Sequence, residues 1–216
     1  MKKIKLSILV IALLAVTVTS CDKYEKKYSC DSATNEWVKS NLKTIQKMNR
    51  QDLLELDFEK IIPAYRAFTA TQKYESWVDK LEQVRNMQWT ESELKHIIQL
   101  SESIEEDWFN ENSSSLNLDD FLMRWVVEGM DFFGWSLFEV GCMISTLYDV
   151  DMEDDDVTIK APNWSLKARY SCSCSTKSWN DFCPIGHGCS SSVACNESFG
   201  GCGWFWIQDC VGRCRP

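Results

Sequence analysis

Eight of the chain's eleven cysteines crowd into its last quarter: Cys172, Cys174, Cys183, Cys189, Cys195, Cys202, Cys210 and Cys214. Thiols at that density hold a metal, exchange electrons or cross-link the chain. Zinc ribbons use C-x₂-C pairs, whereas the intervals here are one, eight, five, five, six, seven and three residues. His187 lies between Cys183 and Cys189, but without a knuckle around it no metal ligand is expected. Residues 170–216 hold eight cysteines in 47 residues, about 17%, above the level of about 8–10% that marks a disulfide scaffold. So small a unit buries too little apolar surface to fold unaided, and bridges worth about 2–4 kcal/mol each supply the difference. The eight are therefore expected to form four disulfides of open connectivity. A direct Cys172–Cys174 bond is excluded, because one intervening residue strains the bond geometry. The isolated Cys30 and Cys142 can pair with each other once exported.

That reading depends on the compartment. Lys2, Lys3 and Lys5 precede an apolar run from Leu6 to Val16, then small residues and a cysteine. Residues 1–20 read as a removable export signal. Val18-Thr19-Ser20-Cys21 has the form of a bacterial lipobox. Cys21 is then the lipidation site, and several acyl chains anchor stably because each buried CH₂ contributes about 0.8 kcal/mol. Residues 21–30 are a polar tether. The expected location is the outside of a bacterial cell, on a membrane whose identity stays open. An oxidising compartment favours bridges over cytosolic metal or redox sites.

Charge narrows the partners. The chain's net charge is −9; the leader carries +3 and residues 170–216 balance to zero, which leaves −12 on residues 22–169. Nucleic-acid affinity comes mainly from basic groups on phosphates, so a nucleic-acid partner is excluded.

The elements that must position the cysteines are helical. Residues 31–150 are read as a helical domain. In residues 71–87 Tyr74, Trp77, Val78, Leu81 and Val84 share one face of a 3.6-residue period. Thr90 and Glu93 form a capping box, followed by a stripe of Leu94, Ile97, Ile98, Ile104 and Trp108. An earlier helix groups Val38, Leu42 and Ile45, and a helix over Asp52–Phe68 is expected to break or bend near Pro63. Residues 121–148 are apolar on most faces but carry Arg124, Glu128, Asp131 and Glu139. They read as a buried central helix, or two joined near Gly134, and not as a membrane span. His96 beside a helix stripe is expected at a surface or rim. The acidic run Glu105-Glu106-Asp107 is expected to be a solvated face. No G-x-S-x-G, H-E-x-x-H or phosphate-loop pattern occurs, so neither an enzyme nor a cofactor is expected.

Residues 151–169 read as an acidic linker and extended segment. Asp149, Asp151, Glu153, Asp154, Asp155 and Asp156 lack the spacing of a calcium loop and are taken as exposed and self-repelling. Val157, Ile159, Trp164 and Leu166 are candidates to pack back on the body. Lys167 and Arg169 form a basic processing site just ahead of the tail.

The tail resembles the bacteriocin fulvocin C-related family. The resemblance rests on Cys172-Ser173-Cys174-Ser175-Thr176, Asp181-Phe182-Cys183-Pro184-Ile185, Ala194-Cys195, Gly201-Cys202-Gly203-Trp204 and the total of eight cysteines. The Cys210–Cys214 spacing is wider than in the bacteriocin itself, and the likeness covers about a fifth of the chain. The resemblance implies an antibacterial peptide acting at target-cell membranes. Trp204, Phe205 and Trp206 would supply its membrane contact, as aromatics do at lipid–water interfaces; the alternative is that they form the tail's own small core. The expected architecture is thus mainly α, a helical body followed by a small, disulfide-rich, irregular C-terminal module. Two functions fit it. One is a lipid-anchored precursor whose tail is released by cleavage near Arg169. The other is a membrane-anchored lipoprotein with a cysteine-rich binding or structural module and no antibacterial activity.

Overall fold

A computed structural model describes residues 26–111, 116–153, 156–160, 173–174, 188–191, 200–210 and 212–215. The fold is mainly helical, with a disulfide in its C-terminal region. Seven α-helices occur among the described residues: α1 Ser32–Ile45, α2 Arg50–Leu54, α3 Phe58–Arg66, α4 Ala70–Arg85, α5 Glu91–Ser103, α6 Leu116–Phe133 and α7 Leu137–Ile144.

Local chemistry sets most of their ends. Asp31 caps α1 by accepting from the Thr34 amide. Reciprocal capping boxes open α2 (Asn49, Asp52), α4 (Thr69, Gln72), α5 (Thr90, Glu93) and α7 (Ser136, Glu139). Each satisfies amide donors that the helix itself leaves open. The expected break near Pro63 falls earlier. The chain leaves helix after Leu54, re-enters at Phe58, and Pro63 sits inside α3, buried. Between α6 and α7 the chain turns at Gly134, whose φ is +76°, a conformation that favours glycine. Gly129 lets α6 approach the turn: a Cβ there would lie 2.5 Å from the Trp135 ring.

Beyond α7 the acidic segment is not a linker. Asp149–Glu153 (β1) pairs antiparallel with Asp156–Lys160 (β2), placing Val150 opposite Ile159 and Met152 opposite Val157. Val150 and Val157 are buried against the helices. Asp149 bonds Arg50, and Asp151 pairs with Lys160, so part of the acidic run is neutralised by specific partners. Glu105, Glu106 and Asp107 are exposed, as expected. The tail contributes a second antiparallel sheet, in the order Ser173–Cys174 (β3), Gly212–Arg215 (β5), Gly188–Ser191 (β4).

One core runs through the body. Val38, Leu53, Trp77, Leu100, Leu122 and Met143 lie in it, and so do Trp204, Phe205, Trp206 and Ile207 from the tail. Val78, expected on the apolar face of α4, is 39% exposed. Among the described residues no helix is long and apolar enough to cross a membrane.

Candidate functional site

The tail segment 200–210 is tightly constrained. Gly200, Gly201 and Gly203 all have positive φ. The Gly201 amide donates to the Trp206 carbonyl (2.8 Å), and Cys202 and Gln208 exchange two backbone hydrogen bonds (3.2 and 3.0 Å). A Cys202–Cys210 disulfide closes the loop. At its tip Phe205 and Trp206 hold φ of 54° and 51°. For non-glycine residues this left-handed backbone costs about 1–2 kcal/mol each, and the surrounding packing must offset it.

That packing corrects the expected membrane contact. Trp204, Phe205 and Trp206 are not presented to lipid: they are 4%, 0% and 6% exposed. Nor are they a separate core of the tail. Phe205 packs at a tilt against Trp77 and edge-on to Trp108, with ring centroids 4.9 and 5.8 Å away. Trp206 packs edge-on to Tyr65 (5.0 Å) and Trp77 (6.1 Å). Polar tips are placed too. Trp206 Nε1 donates to the Ser145 carbonyl (2.9 Å), and the Tyr65 hydroxyl donates to the Phe205 carbonyl (3.3 Å) while accepting from Trp77 Nε1 (3.1 Å). Arg66 Nε donates to the Gly200 carbonyl (3.1 Å). Burial holds the Tyr65 phenol well above its usual pKa, so it stays protonated. Phe205 and Trp206 plug a socket formed by Tyr65 of α3, Trp77 of α4 and Trp108. A domain boundary at residue 170 therefore does not separate two independent cores.

The cysteines part company with expectation at two positions. Cys202 and Cys210 are disulfide-bonded, as expected, and to each other. Cys142 is a free, fully buried thiol, its pKa pushed up to about 12 by burial. Cys30 is disulfide-bonded, so the expected Cys30–Cys142 bridge is wrong. Cys174, Cys189 and Cys214 are placed only as backbone, with Cys189 opposite Cys214 across β4 and β5. Cys21, Cys172, Cys183 and Cys195, with Lys167, Arg169 and His187, lie outside the described residues.

His96 is also corrected, from rim to interior. It is 7% exposed, stacked on Trp125 at 4.9 Å, and tied to that residue by two hydrogen bonds of 2.9 Å through backbone carbonyls. Phe133 and Trp135 close the aromatic cluster around it. Glu128 is 3.9 Å from Nδ1. No group of three metal-ligating side chains occurs among the described residues.

Buried cations were missed. Arg50 is 3% exposed and spans the Leu147 carbonyl (2.8 Å), Asp79 (2.8 Å), Gln83 (3.0 Å) and Asp149 (2.6 Å). Lys80, fully buried, donates to the Tyr148 carbonyl. Burial pulls its pKa down to about 7, and neighbouring Arg50 adds to the shift. Arg66 and Lys73, each 4% exposed, stand at the corner between α3 and α4. Lys73 and Lys80 share the stripe of Trp77, Leu81 and Val84 at helical spacing, which was the available signal.

Comparison adds nothing to this geometry. The chain matches no family model, no curated protein and no solved structure.

Proposed function

We propose that this protein is an exported lipoprotein, anchored through Cys21, that retains its cysteine-rich tail and acts as a binding body without antibacterial activity. The observation that carries this reading is the burial of Trp204, Phe205 and Trp206 in the helical core. A releasable peptide must leave the precursor at modest cost. Re-exposing these side chains costs about 2 kcal/mol or more apiece, before any disulfide is considered. A cut near Arg169 would leave the fragment seated in its socket. The aromatic patch that the bacteriocin-like reading needs for lipid is occupied within the protein.

Intact mass spectrometry of membrane and culture-medium fractions from the native host tests the reading. The expected result is one membrane-bound, acylated species that includes Pro216. A medium species beginning near Tyr170 that kills bacteria would overturn it in favour of a released precursor.

A further inference from the structure

A cavity of about 760 Å³ opens between the start of the body, the end of α1, the α3–α4 corner and the stretch from Asp107 to Glu111. That volume is in the range of small-molecule sites. Its floor belongs to the protein's own architecture. Arg66 donates to the carbonyls of Gly200 (3.1 Å) and Tyr28 (2.8 Å), and the Lys73 ammonium lies over the Tyr65 ring, 5.3 Å from its centroid. Both side chains have further interactions within the chain. Arg66 thereby ties the floor to the tail loop, and recognition of a ligand falls to the rim.

The rim is polar, exposed and of both signs. Lys26 and Glu111 form an ion pair of 2.7 Å. Asn110 Nδ2 donates to Asp107 Oδ1 (2.9 Å). That bond leaves the Asn110 carbonyl oxygen and the second Asp107 oxygen as acceptors. Gln46, the C-cap of α1, adds an amide that both donates and accepts. The wall bearing Asp107 and Asn110 is held in place: Phe109 between them is buried, and Thr71 Oγ1 of α4 donates to Glu106 (2.8 Å). Fixed polar groups lower the cost of ordering a ligand. A net charge entering this rim meets a like charge beside each opposite one. A neutral hydroxyl donates and accepts at once, and suits carboxylate, amide and ammonium alike. Ala67 and Phe68 add apolar surface for the C–H face of a ring.

We infer that this cavity binds a small neutral carbohydrate, a mono- or disaccharide whose hydroxyls bridge Asp107, Asn110, Gln46 and the Lys26–Glu111 pair. This site deepens the binding reading above, and the two fail separately: retention of the tail is read by mass, occupancy of the cavity by titration.

The probes are glucose, galactose, mannose, N-acetylglucosamine, maltose and cellobiose, each titrated into the mature full-length protein and followed by ligand-observed NMR. Glucuronate and glucosamine carry a charge on the same ring and serve as controls. At least one neutral sugar should bind saturably with a Kd of about 1 mM or tighter, and each charged control should bind about fivefold or more weaker than the best neutral sugar. Asp107→Ala combined with Asn110→Ala should weaken that binding by about tenfold. Both side chains are exposed, so the double variant keeps its fold, checked by an unchanged circular dichroism spectrum. Ala70→Trp, which narrows the cavity and leaves every rim group in place, should weaken binding similarly. Absence of saturable binding for every neutral sugar at about 10 mM would overturn the assignment. Tighter binding of glucuronate or glucosamine, or equal binding to the double variant, would do the same.

Discussion

Phe205→Ala isolates the seat of the tail in the body. The side chain is fully buried and rests on Trp77 and Trp108. Truncating such a phenylalanine removes its transfer free energy and leaves a cavity, a loss of about 3–5 kcal/mol. With a urea m-value of roughly 2 kcal/mol/M for a chain of this size, the midpoint falls by roughly 1.5–2.5 M. Phe132→Ala is the control: that side chain is 77% exposed, and surface changes stay within about 0.5 kcal/mol. Phe205→Gly sharpens the test. At φ of 54° the usual advantage of alanine over glycine reverses, so the glycine variant should be no less stable than the alanine one. The assay is urea unfolding of the mature chain with disulfides intact, followed by tryptophan fluorescence and circular dichroism together. A midpoint shift for Phe205→Ala no larger than that of Phe132→Ala would show that the tail is not part of the core. It would remove the main support for retention.

Three further outcomes follow from the same geometry. Stability should rise between about pH 7 and 9, because folded Lys80 (about 7) and Lys73 (about 8) release their protons well below the ordinary lysine value of 10.5. The unfolded chain then binds more protons, and each group adds up to about 1.4 kcal/mol per pH unit. Above about pH 9 the Cys142 thiol opposes the rise, since its folded pKa is raised. Urea titrations across this window check it, Lys80→Met should flatten it, and a stability that falls from pH 7 to 9 would contradict it. A protease site placed at Ala168 should, when cut, give two fragments that co-elute under native conditions. Separation of the fragments under native conditions would refute the seat of the tail in the body. Gly129→Ala should cost about 1–3 kcal/mol in the same urea assay, because its Cβ would overlap the Trp135 ring at 2.5 Å. A neutral effect would refute the close approach of α6 to that ring.

What the sequence made legible is what short-range chemistry dictates. The Thr90–Glu93 box, the stripe Trp77, Leu81, Val84 and the turn at Gly134 act over a few residues, and the structure has them where the pattern placed them. The failures share a cause. His96 reads as a polar interruption until Trp125, 29 residues away, offers a ring to stack on. The strands after Tyr148 were hidden under carboxylates, although Val150, Met152, Val157 and Ile159 alternate as strand residues do. Lys73 and Lys80 sit on an apolar stripe, and a charge there reads as solvent-facing unless a carbonyl such as that of Tyr148 is known to wait for it. The socket for Trp204-Phe205-Trp206 had no local signature. Composition marked residues 170–216 as a unit apart, but contacts more than a hundred residues away in sequence decide where the loop goes.

The plug also governs when the molecule becomes itself. Tyr65 and Phe205 meet across 140 residues of chain, and the centre of the core stays open until residues 204–207 arrive. Closing so long a loop is entropically costly and slow relative to local helix formation. A chain still being synthesised therefore holds helices but not a finished interior, and it locks only after the segment 200–210 has been made.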